Sequence, residues 1–422
     1  MNDPKTGGPH RTGAATQRRN RAWLRWVPAV AAPAVIAAGV LVGSIPARAG
    51  DALADKTPAD VLALLAGHKT HTFSGTVEQA SELGLPELPA TGQGSGPASD
   101  DPAASAIEML TGEHTARIFM DGKSKVRIQV VDRFAERDVI RRDNDVWFYS
   151  SKDNSTAHLT LPAHARDLPL SDPAVPGASP ESTSPESTTP DGTGPDSSMV
   201  PPTPQDLAAK FLAAADSSTA VSVGPDVQVA GRAAYNLVLG PRTGNTLVGM
   251  ISIAVDGETG MPLSVEVTAR GAGEPAFRTG FTSLSLDAPD AALFNFVPPP
   301  GSTVEELQFQ HPTHQAPGPG ASGYPETHTD PDQLAAGIKD KARSYLSGTG
   351  WETVVELPAE TGAGAKLSTA LAQNPLLGQA AVVVPGGRLL SSALFNVLLT
   401  DDGRVFAGMV PADRLQAASS AP

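Results

Sequence analysis

Two pairs of histidines carry the side chains that bind metals in proteins. They are His68 with His71 and His311 with His314, and the members of each pair are three residues apart. Neither pair lies in a segment of helical periodicity, which is what would direct both rings toward one metal ion. We therefore predict that these four histidines are solvated loop residues and that the chain holds no metal.

Three pairs of adjacent carboxylates are the next candidates for chemistry: Asp100-Asp101, Glu305-Glu306 and Asp401-Asp402. Their surroundings are typical of loops and turns, and on a strand two neighbours would point to opposite faces. The sequence has no Gly-rich phosphate loop after a strand, no Gly-x-Ser-x-Gly turn and no cysteine. These observations predict a protein that is not an enzyme, with no catalytic residue and no cofactor.

The elements that would position ligand-binding side chains form two similar blocks. Each block begins with a short helix that opens on a capping Thr followed by Pro, at Thr57-Pro58 and at Thr203-Pro204. Short segments of alternating apolar and polar residues follow each helix and predict antiparallel strands joined by turns. The predicted strands cover 72–79, 114–120, 125–131, 137–140, 146–149 and 156–161 in the first block, and 221–229, 233–239, 247–255, 263–269 and 276–286 in the second.

About eleven strands and two helices fit most simply into one antiparallel sheet that curves and is covered by the helices on one face. We predict a mainly β (α+β) fold, a strongly curved and unclosed antiparallel β-barrel with a helical lid. Large apolar side chains on the inner face of such a barrel are candidates to line a ligand cavity, and they would serve equally well as a packed core. The candidates are Phe119, Ile128, Val130, Trp147, Tyr149, Leu237, Leu239, Ile253, Val265, Phe281 and Leu284.

Segments rich in Pro, Gly and Ser divide the chain. The stretches 84–106 and 170–202 bury too little apolar surface to fold, so we predict disordered insertions within a domain that spans 51–305. A linker is predicted at 306–330, and 331–422 is predicted to be a small α+β module. Its expected elements are a helix at 331–346, a strand near 352–357, a helix at 365–373 and a hairpin that turns at Asp401-Asp402-Gly403.

The first fifty residues predict a signal or transmembrane segment. Residues 1–25 hold six basic side chains and one acid, in a chain whose formal net charge is −14. The apolar run Trp26–Pro46 follows, and as a helix it would be about 30 Å long, enough to cross a bilayer. Ala47 and Ala49 are small residues suited to signal cleavage. Two locations stay open: a single-pass cell-membrane protein with its body outside the cytoplasm, or a protein secreted after cleavage near Ala49.

The acidic balance of the chain bears on its partners. Nucleic acids are bound through basic patches, and here basic residues outnumber acidic ones in the first 25 positions, whereas acidic residues outnumber basic ones in the rest of the chain. We therefore expect no nucleic acid partner. The membrane, contacted through Trp26–Pro46, is the partner that the N-terminal segment predicts.

Several strings stand in one order along the chain: DGKSKVRIQ, DNDVWFYSSKDNSTAHLTLP, VAGRAAYNLVLGP, GMISIAVDGETGMPLSVEVTAR and PAFRTGFTSLSLDAPDAALFNFVPPPG. In this order they resemble the LolA-type lipoprotein carriers and the related RseB/MucB regulators, most closely their actinobacterial membrane-linked versions. That family places an aspartate and a Thr-Gly-x-Pro turn between consecutive strands, matched here by Asp256 and Thr259-Gly260-Met261-Pro262. The resemblance covers roughly residues 57–301.

The resemblance implies an unclosed barrel with a helical lid that binds lipid or lipoprotein acyl chains outside the cytoplasm, without catalysis. An alternative reading is a membrane-anchored regulatory or sensor module, like RseB, that binds a partner membrane protein. We match none of the family's polar cavity residues to positions in this chain.

Overall fold

The computed structural model describes residues 53–85, 112–131, 136–162, 202–307, 345–373 and 375–421. By its internal contacts the chain divides into Met1–Ala52 and Leu53–Pro422, and every described residue belongs to the second unit. In the described ranges, the strands of that unit form a twelve-stranded sheet and a six-stranded sheet.

The larger sheet is built from the two predicted blocks. Its strands are β1 (Thr72–Ser81), β2 (Gly112–Asp121), β3 (Lys125–Val131), β4 (Glu136–Arg142), β5 (Asp145–Ser150), β6 (Ser155–Thr160), β7 (Thr219–Val229), β8 (Arg232–Pro241), β9 (Val248–Asp256), β10 (Pro262–Ala269), β11 (Pro275–Ser285) and β12 (Thr303–Leu307). Their spatial order is β12-β6-β5-β4-β3-β2-β1-β11-β10-β9-β8-β7. Because the edge strands β12 and β7 do not pair with each other, the sheet is unclosed, as predicted.

The two blocks are joined by a pairing that the sequence did not indicate. The first strand, β1, pairs antiparallel with β11, the last strand of the second block, so that Val77 lies opposite Phe281 and Gln79 opposite Thr279. Strands β1 to β6 and β7 to β11 are otherwise meanders, in which each strand pairs with its neighbour in sequence. The join makes one continuous sheet from two meanders.

The prediction of a loop at Glu305-Glu306 is wrong. Both residues lie in β12, which pairs in parallel with β6 and places Glu306 opposite His158. The His158 ring contacts the carboxylates of Glu306 at 2.9 Å and Asp145 at 3.2 Å. Two adjacent acids gave no strand signal, because side-chain polarity does not reveal a parallel pairing at an exposed sheet edge.

Helices α1 (Pro58–Ala66) and α2 (Pro204–Ala214) begin where they were predicted to begin. Each has a reciprocal capping box: Thr57 with Asp60 in α1, and Thr203 with Asp206 in α2. Helix α1 contacts β7 and β8, whereas α2 contacts β10 and β11. Both helices therefore cover the second block on one face, which we call the inner face of the larger sheet.

The capping box of α2 allows a first prediction about stability. The Thr203 hydroxyl accepts the Asp206 N–H at 3.2 Å, and removing that acceptor leaves a helix N–H without its cap. We expect Thr203→Ala to lower the free energy of unfolding by about 1 kcal/mol in chemical denaturation. Thr203→Ser keeps the oxygen and is the matched control; an equal loss in both variants would contradict the assigned role.

Two glycines are required by close packing. A Cβ on Gly75 would lie 2.8 Å from the Phe281 ring, and that ring meets Phe73 edge to face at 5.8 Å between centroids. Gly260 has φ +75°, and a Cβ there would lie 2.3 Å from the Leu64 carbonyl oxygen at the end of α1. Because glycine has no side chain, the Phe281 ring can pack closely on Gly75, and the end of α1 can pack closely on Gly260.

The smaller sheet forms the C-terminal part of the structure. Its strands are β13 (Leu346–Ser347), β14 (Val354–Leu357), β15 (Ala381–Val384), β16 (Gly387–Ser391), β17 (Asn396–Thr400) and β18 (Val405–Gly408), in the order β13-β14-β18-β17-β16-β15. Its helices are α3 (Ala363–Gln373), α4 (Pro375–Ala380) and α5 (Ala412–Ser419), and short 3₁₀ turns occupy Gly350–Glu352 and Ala359–Thr361. A further 3₁₀ turn, Ala291–Phe294, lies against β3 and β4 of the larger sheet.

Several predictions for this C-terminal part are confirmed. Helix α3 and strand β14 occur where a helix and a strand were expected, and β17 and β18 form a hairpin around Asp401-Asp402-Gly403. The sequence did not indicate β15, β16, α4 or α5. Of the helix predicted at 331–346, residues 331–344 lie outside the described residues, and Leu346 begins β13 instead.

In the described ranges, none of the helices has the length and apolarity needed to span a membrane. The predicted span Trp26–Pro46 and the cleavage residues Ala47 and Ala49 lie outside those ranges. The predicted insertions also lie almost wholly outside them, as does most of the predicted linker. These predictions stay predictions.

Candidate functional site

Eight of the eleven cavity candidates share the inner face of the larger sheet. Directly opposed residues point to the same side of a sheet, and alternate residues along a strand do too. Leu237 lies opposite Ile253, and Ile253 opposite Val265. The same register places the rest of the eight on this face: Ile128, Val130, Leu239, Phe281 and Leu284.

The structure places the other three candidates, Phe119, Trp147 and Tyr149, on the opposite, outer face. Phe119 lies opposite Ser74, one residue out of phase with the inner-face Phe73. Trp147 lies opposite His158, and their rings stack at 3.9 Å between centroids. Because all four residues of the string VWFY are apolar, the alternation in this strand did not identify its inner face.

The inner face of the second block is packed against three separate elements. Val61 and Leu65 of α1 and Ala208 of α2 belong to one buried cluster with Leu237, Ile253 and other inner-face residues. Leu394, in the turn between β16 and β17, belongs to the same cluster and is 7% exposed. Two short helices and the turn that carries Leu394 therefore cover the apolar surface, and Trp351, Ala393 and Phe395 also pack against it.

Hydrogen bonds hold the turn that carries Leu394. The Ser392 hydroxyl accepts the N–H groups of Leu394 at 3.3 Å and Phe395 at 3.0 Å, and it donates to the Phe395 carbonyl at 2.8 Å. The Ala393 N–H donates to the carbonyl of Leu83, just beyond β1, at 2.9 Å. The turn is therefore fixed internally and to the edge of the apolar cluster.

A polar contact zone joins the smaller sheet to the second block beside this turn. Trp351 donates from Nε1 to the Thr219 hydroxyl at 2.9 Å, and the Thr246 hydroxyl donates to the Met409 carbonyl at 2.7 Å. Glu352 accepts from the Thr243 hydroxyl and pairs with Arg414 at 3.0 Å. The hydrogen bond from Thr243, with smaller effects of Asn245 and Arg414, lowers the pKa of Glu352.

The motif quoted for the resemblance is a structural turn between β9 and β10. Asp256 is 1% exposed, pairs with Arg232, and accepts the Thr259 N–H at 2.7 Å and the Thr259 hydroxyl at 2.9 Å. Burial by itself would raise the pKa of Asp256, but the bonds from Arg232 and Thr259 outweigh it, so the pKa is lowered. Because its hydrogen bonds are made within the protein, we assign this carboxylate a structural role in the turn.

The predicted histidine and acid pairs have local roles where they are described. His68 Nδ1 lies 2.6 Å from the Leu65 carbonyl at the end of α1, and the rings of His68 and His71 are 6.5 Å apart. Asp402 accepts from Thr400 and Arg404 within its turn. Within the described ranges no three His, Asp or Glu side chains come together as metal ligands. His311, His314 and Asp100-Asp101 lie outside them.

Two shallow surface cavities accompany these features. One, of about 310 Å³, lies at the start of the described chain, where Lys56 stands over the Tyr235 ring and the Tyr235 hydroxyl donates to the Ala54 carbonyl at 2.9 Å. The other, of about 200 Å³, lies on the outer face beside Trp147 and Phe296. Neither opens onto the row of Leu237, Ile253 and Val265.

Sequence reasoning missed two parts of this site. The sequence does not indicate that Leu394 packs on the larger sheet, because a single leucine in a predicted hairpin is most simply a core residue of its own domain. The polar residues Gln79, His114 and Thr279 also lie on the inner face, since Gln79 is opposite both of the others. The pairing of β1 with β11 would have been needed to find them.

No family model matches this chain, and no curated protein matches it either. Solved structures do match. The MucB of Pseudomonas aeruginosa, solved in complex with MucA, is 16% identical, and the match covers 85% of this chain and 96% of that one with a TM-score of 0.38.

Two further structures have smaller coverage of this chain. An uncharacterized conserved protein from Thermus thermophilus is 10% identical, with 59% of this chain and 98% of that one covered and a TM-score of 0.30. A LolA superfamily protein from Nitrosomonas europaea is 8% identical, with 57% and 99% covered and a TM-score of 0.21. The chain is similar to MucB and to LolA-superfamily proteins. These are the types named from the sequence, whereas the actinobacterial membrane-linked type stays a prediction.

Proposed function

We propose that this protein binds lipid or lipoprotein acyl chains on the inner face of its larger sheet, outside the cytoplasm and without catalysis. One observation carries the proposal: the apolar inner face of the second block is covered by three separate elements, namely α1, α2 and the Leu394 turn. The covering helices are nine and eleven residues long. Such short helices depend on their packing for stability, so they can move when a ligand offers equivalent apolar contacts.

The energetics favour a long hydrocarbon chain as the ligand. Each CH₂ group of a ligand contributes about 0.8 kcal/mol of binding free energy when it is buried. A long chain that contacts several strands therefore gains more free energy than is lost when Leu394 is displaced. The inner-face surface is supplied by Leu237, Ile253 and Val265 and continues toward Phe281. A row of side chains across neighbouring strands suits an extended chain.

A matched pair of variants tests the proposal in the full chain. Val223 on β7 and Phe119 on β2 are both partly buried, but they face opposite sides of the sheet. Val223 lies opposite the inner-face Leu237 and packs against the buried cluster, whereas Phe119 is on the outer face. Binding is followed with N-phenylnaphthylamine, an uncharged probe that fluoresces in apolar surroundings, and with displacement by unlabelled acyl lipids. We expect Val223→Ala to weaken probe binding roughly tenfold, in line with the loss of two buried carbons, and Phe119→Ala to leave it unchanged.

The opposite pattern would overturn the choice of face, and a wild-type chain that binds no probe would overturn the proposal. Phe119→Ala also serves as the control for general loosening of the sheet, since both variants remove apolar contacts at partly buried positions. Urea denaturation of both variants checks that the chains remain folded under the binding conditions.

Where the protein works is part of the proposal. The basic head and the run Trp26–Pro46 support export, either with a retained anchor or with cleavage near Ala49. N-terminal sequencing of the native protein from membrane and soluble fractions separates the two. A start at Gly50 in the soluble fraction indicates a shuttle, and retention of residues 18–25 in the membrane fraction indicates a tethered binder.

A second candidate is a regulator that binds a partner membrane protein, and a specific surface favours it. Strand β15 is an edge of the smaller sheet, where Val382 is 61% and Val383 76% exposed. An exposed apolar edge is suited to pairing with an extended segment of another chain. We expect Val383→Lys to abolish capture of a transmembrane partner and to leave probe binding unchanged; capture by both forms would count against this edge.

A further inference from the structure

We infer that the inner face contains a polar subsite centred on Thr279, which takes an uncharged oxygen group of the ligand, such as the ester or hydroxyl next to an acyl chain. The inference rests on the proposed function, because it names the chemistry of the group that accompanies the apolar chain. It adds a specificity-determining residue that apolar packing alone would not require.

One row of side chains crosses six strands of the inner face. From β8 to β2 the residues lie directly opposite one another in the order Leu237, Ile253, Val265, Thr279, Gln79 and His114. The first three side chains are apolar and the last three are polar. The row therefore changes from apolar to polar side chains at Thr279, in the middle of the sheet. A core that only stabilised the fold would continue with apolar residues there.

Thr279 is fully buried, and its hydroxyl oxygen has no hydrogen-bond partner. The Ser81 hydroxyl oxygen is also buried and without a partner, although Ser81 as a whole is only partly buried. Ser81 lies on the same face, two residues from Gln79 on β1. Buried hydroxyls without partners are rare in proteins because each has lost its bonds to water. Thr156 and Ser302 carry such hydroxyls elsewhere among the described residues, but those of Thr279 and Ser81 lie at neighbouring positions on one face. We attribute this arrangement to a group outside the chain that completes their bonding.

The surroundings of Thr279 select an uncharged group. Its neighbours in the row are Val265 and Gln79, and the adjacent Arg278 faces the outer side, opposite Ala80 and Glu266. A phosphate or carboxylate buried beside Thr279 would lack a counter-charge from its neighbours in the row, which is costly. An ester carbonyl or a hydroxyl needs only a donor or an acceptor, and the hydroxyls of Thr279 and Ser81 provide both.

The apolar half of the row fixes the orientation of the ligand. Val265 touches the polar half at Thr279, and on its other side Ile253 and Leu237 continue beneath α1 and α2. The acyl chain would lie over β8 to β10, and its oxygen-bearing end would lie over β11 and β1. A ligand without an oxygen group would leave both hydroxyls unbonded.

The test compares a monoacylglycerol with an alkane of the same chain length, each displacing the uncharged fluorescent probe from the full chain. Valine has the shape of threonine without the hydroxyl. We expect Thr279→Val to weaken monoacylglycerol binding about tenfold, the usual effect of losing one buried hydrogen bond, and to leave alkane binding unchanged. Thr279→Ser is expected to keep wild-type selectivity, and the exposed Thr282→Val is the matched control.

The outcomes separate this inference from the proposed function. If Thr279→Val binds both ligands as the wild type does, a water bonds these hydroxyls and the subsite is overturned while the apolar site stands. Equal weakening for both ligands overturns it as well, since it indicates altered packing. If the wild type binds neither ligand, both proposals fail. Should Thr279→Val not fold, Ser81→Ala provides the same comparison at the neighbouring hydroxyl.

Discussion

Leu394→Ala is expected to lower the free energy of unfolding by about 2–5 kcal/mol and to increase the affinity of the protein for an uncharged apolar probe. Leu394 is buried in the cluster that also holds α1, α2 and the inner-face strands. Truncation removes packing that the rigid Ser392-capped turn cannot restore by collapsing inward. The lost contact also removes the intramolecular competitor for the apolar surface.

The two effects are measured on the same preparations, stability by chemical denaturation and affinity by fluorescence titration. Val382→Ala removes apolar surface from the exposed edge strand β15 and is the matched control, with an expected change within about 0.5 kcal/mol. A Leu394→Ala chain that is destabilised but binds the probe more weakly would show that the leucine is part of the binding surface. A chain unaffected in both measurements would contradict the assigned packing.

Asp256→Ala is expected to destabilise the protein by about 3–5 kcal/mol, because it removes a buried carboxylate that accepts hydrogen bonds from Arg232 and from the N–H and hydroxyl of Thr259. Asp256 forms an ion pair with Arg232 and accepts a hydrogen bond from Thr259 in the turn. The next residue of that turn, Gly260, packs closely against the end of α1. Losing the carboxylate therefore loosens the β9–β10 hairpin and the helix above it. The matched control is Glu258→Ala, which removes the exposed partner of the same arginine.

Acid titration gives the pH dependence of the same interaction. The pKa of Asp256 is lower in the folded protein than in the unfolded chain, so its contribution is complete above the unfolded value near 4 and is lost as pH falls through the folded pKa. We expect the wild type to lose stability in that acidic range faster than Asp256→Ala does. Parallel acid profiles for the two chains would contradict the lowered pKa.

Local features of the fold were predictable from the sequence because they depend on a few neighbouring residues. The Thr-Pro starts of α1 and α2, the alternation in Lys125–Val131 and the turn at Asp401-Asp402-Gly403 each act within about ten residues. The pairing of β1 with β11 joins residues about 200 positions apart, and nothing in either strand specifies its partner. That join determines which side chains share a row.

The shared face of most apolar candidates could be predicted for the same reason. Strands such as β8 and β9 alternate strictly enough to reveal their buried residues, so Leu237, Leu239 and Ile253 could be chosen correctly for one face. In β5 the run of apolar residues hides the alternation, and Trp147 and Tyr149 lie on the other face. Leu394 and Thr279 emerge only from tertiary contacts.

The most direct test of the central claim is mass spectrometry of the organic extract of the full chain, purified from its own cell envelope without a delipidating step. A folded protein whose inner face binds acyl chains is expected to carry stoichiometric lipid, enriched over an envelope protein of similar abundance purified in parallel. Val223→Ala should carry less lipid, and Phe119→Ala should carry as much as the wild type. A wild-type extract with no enriched lipid, from protein that unfolds cooperatively, would contradict the account.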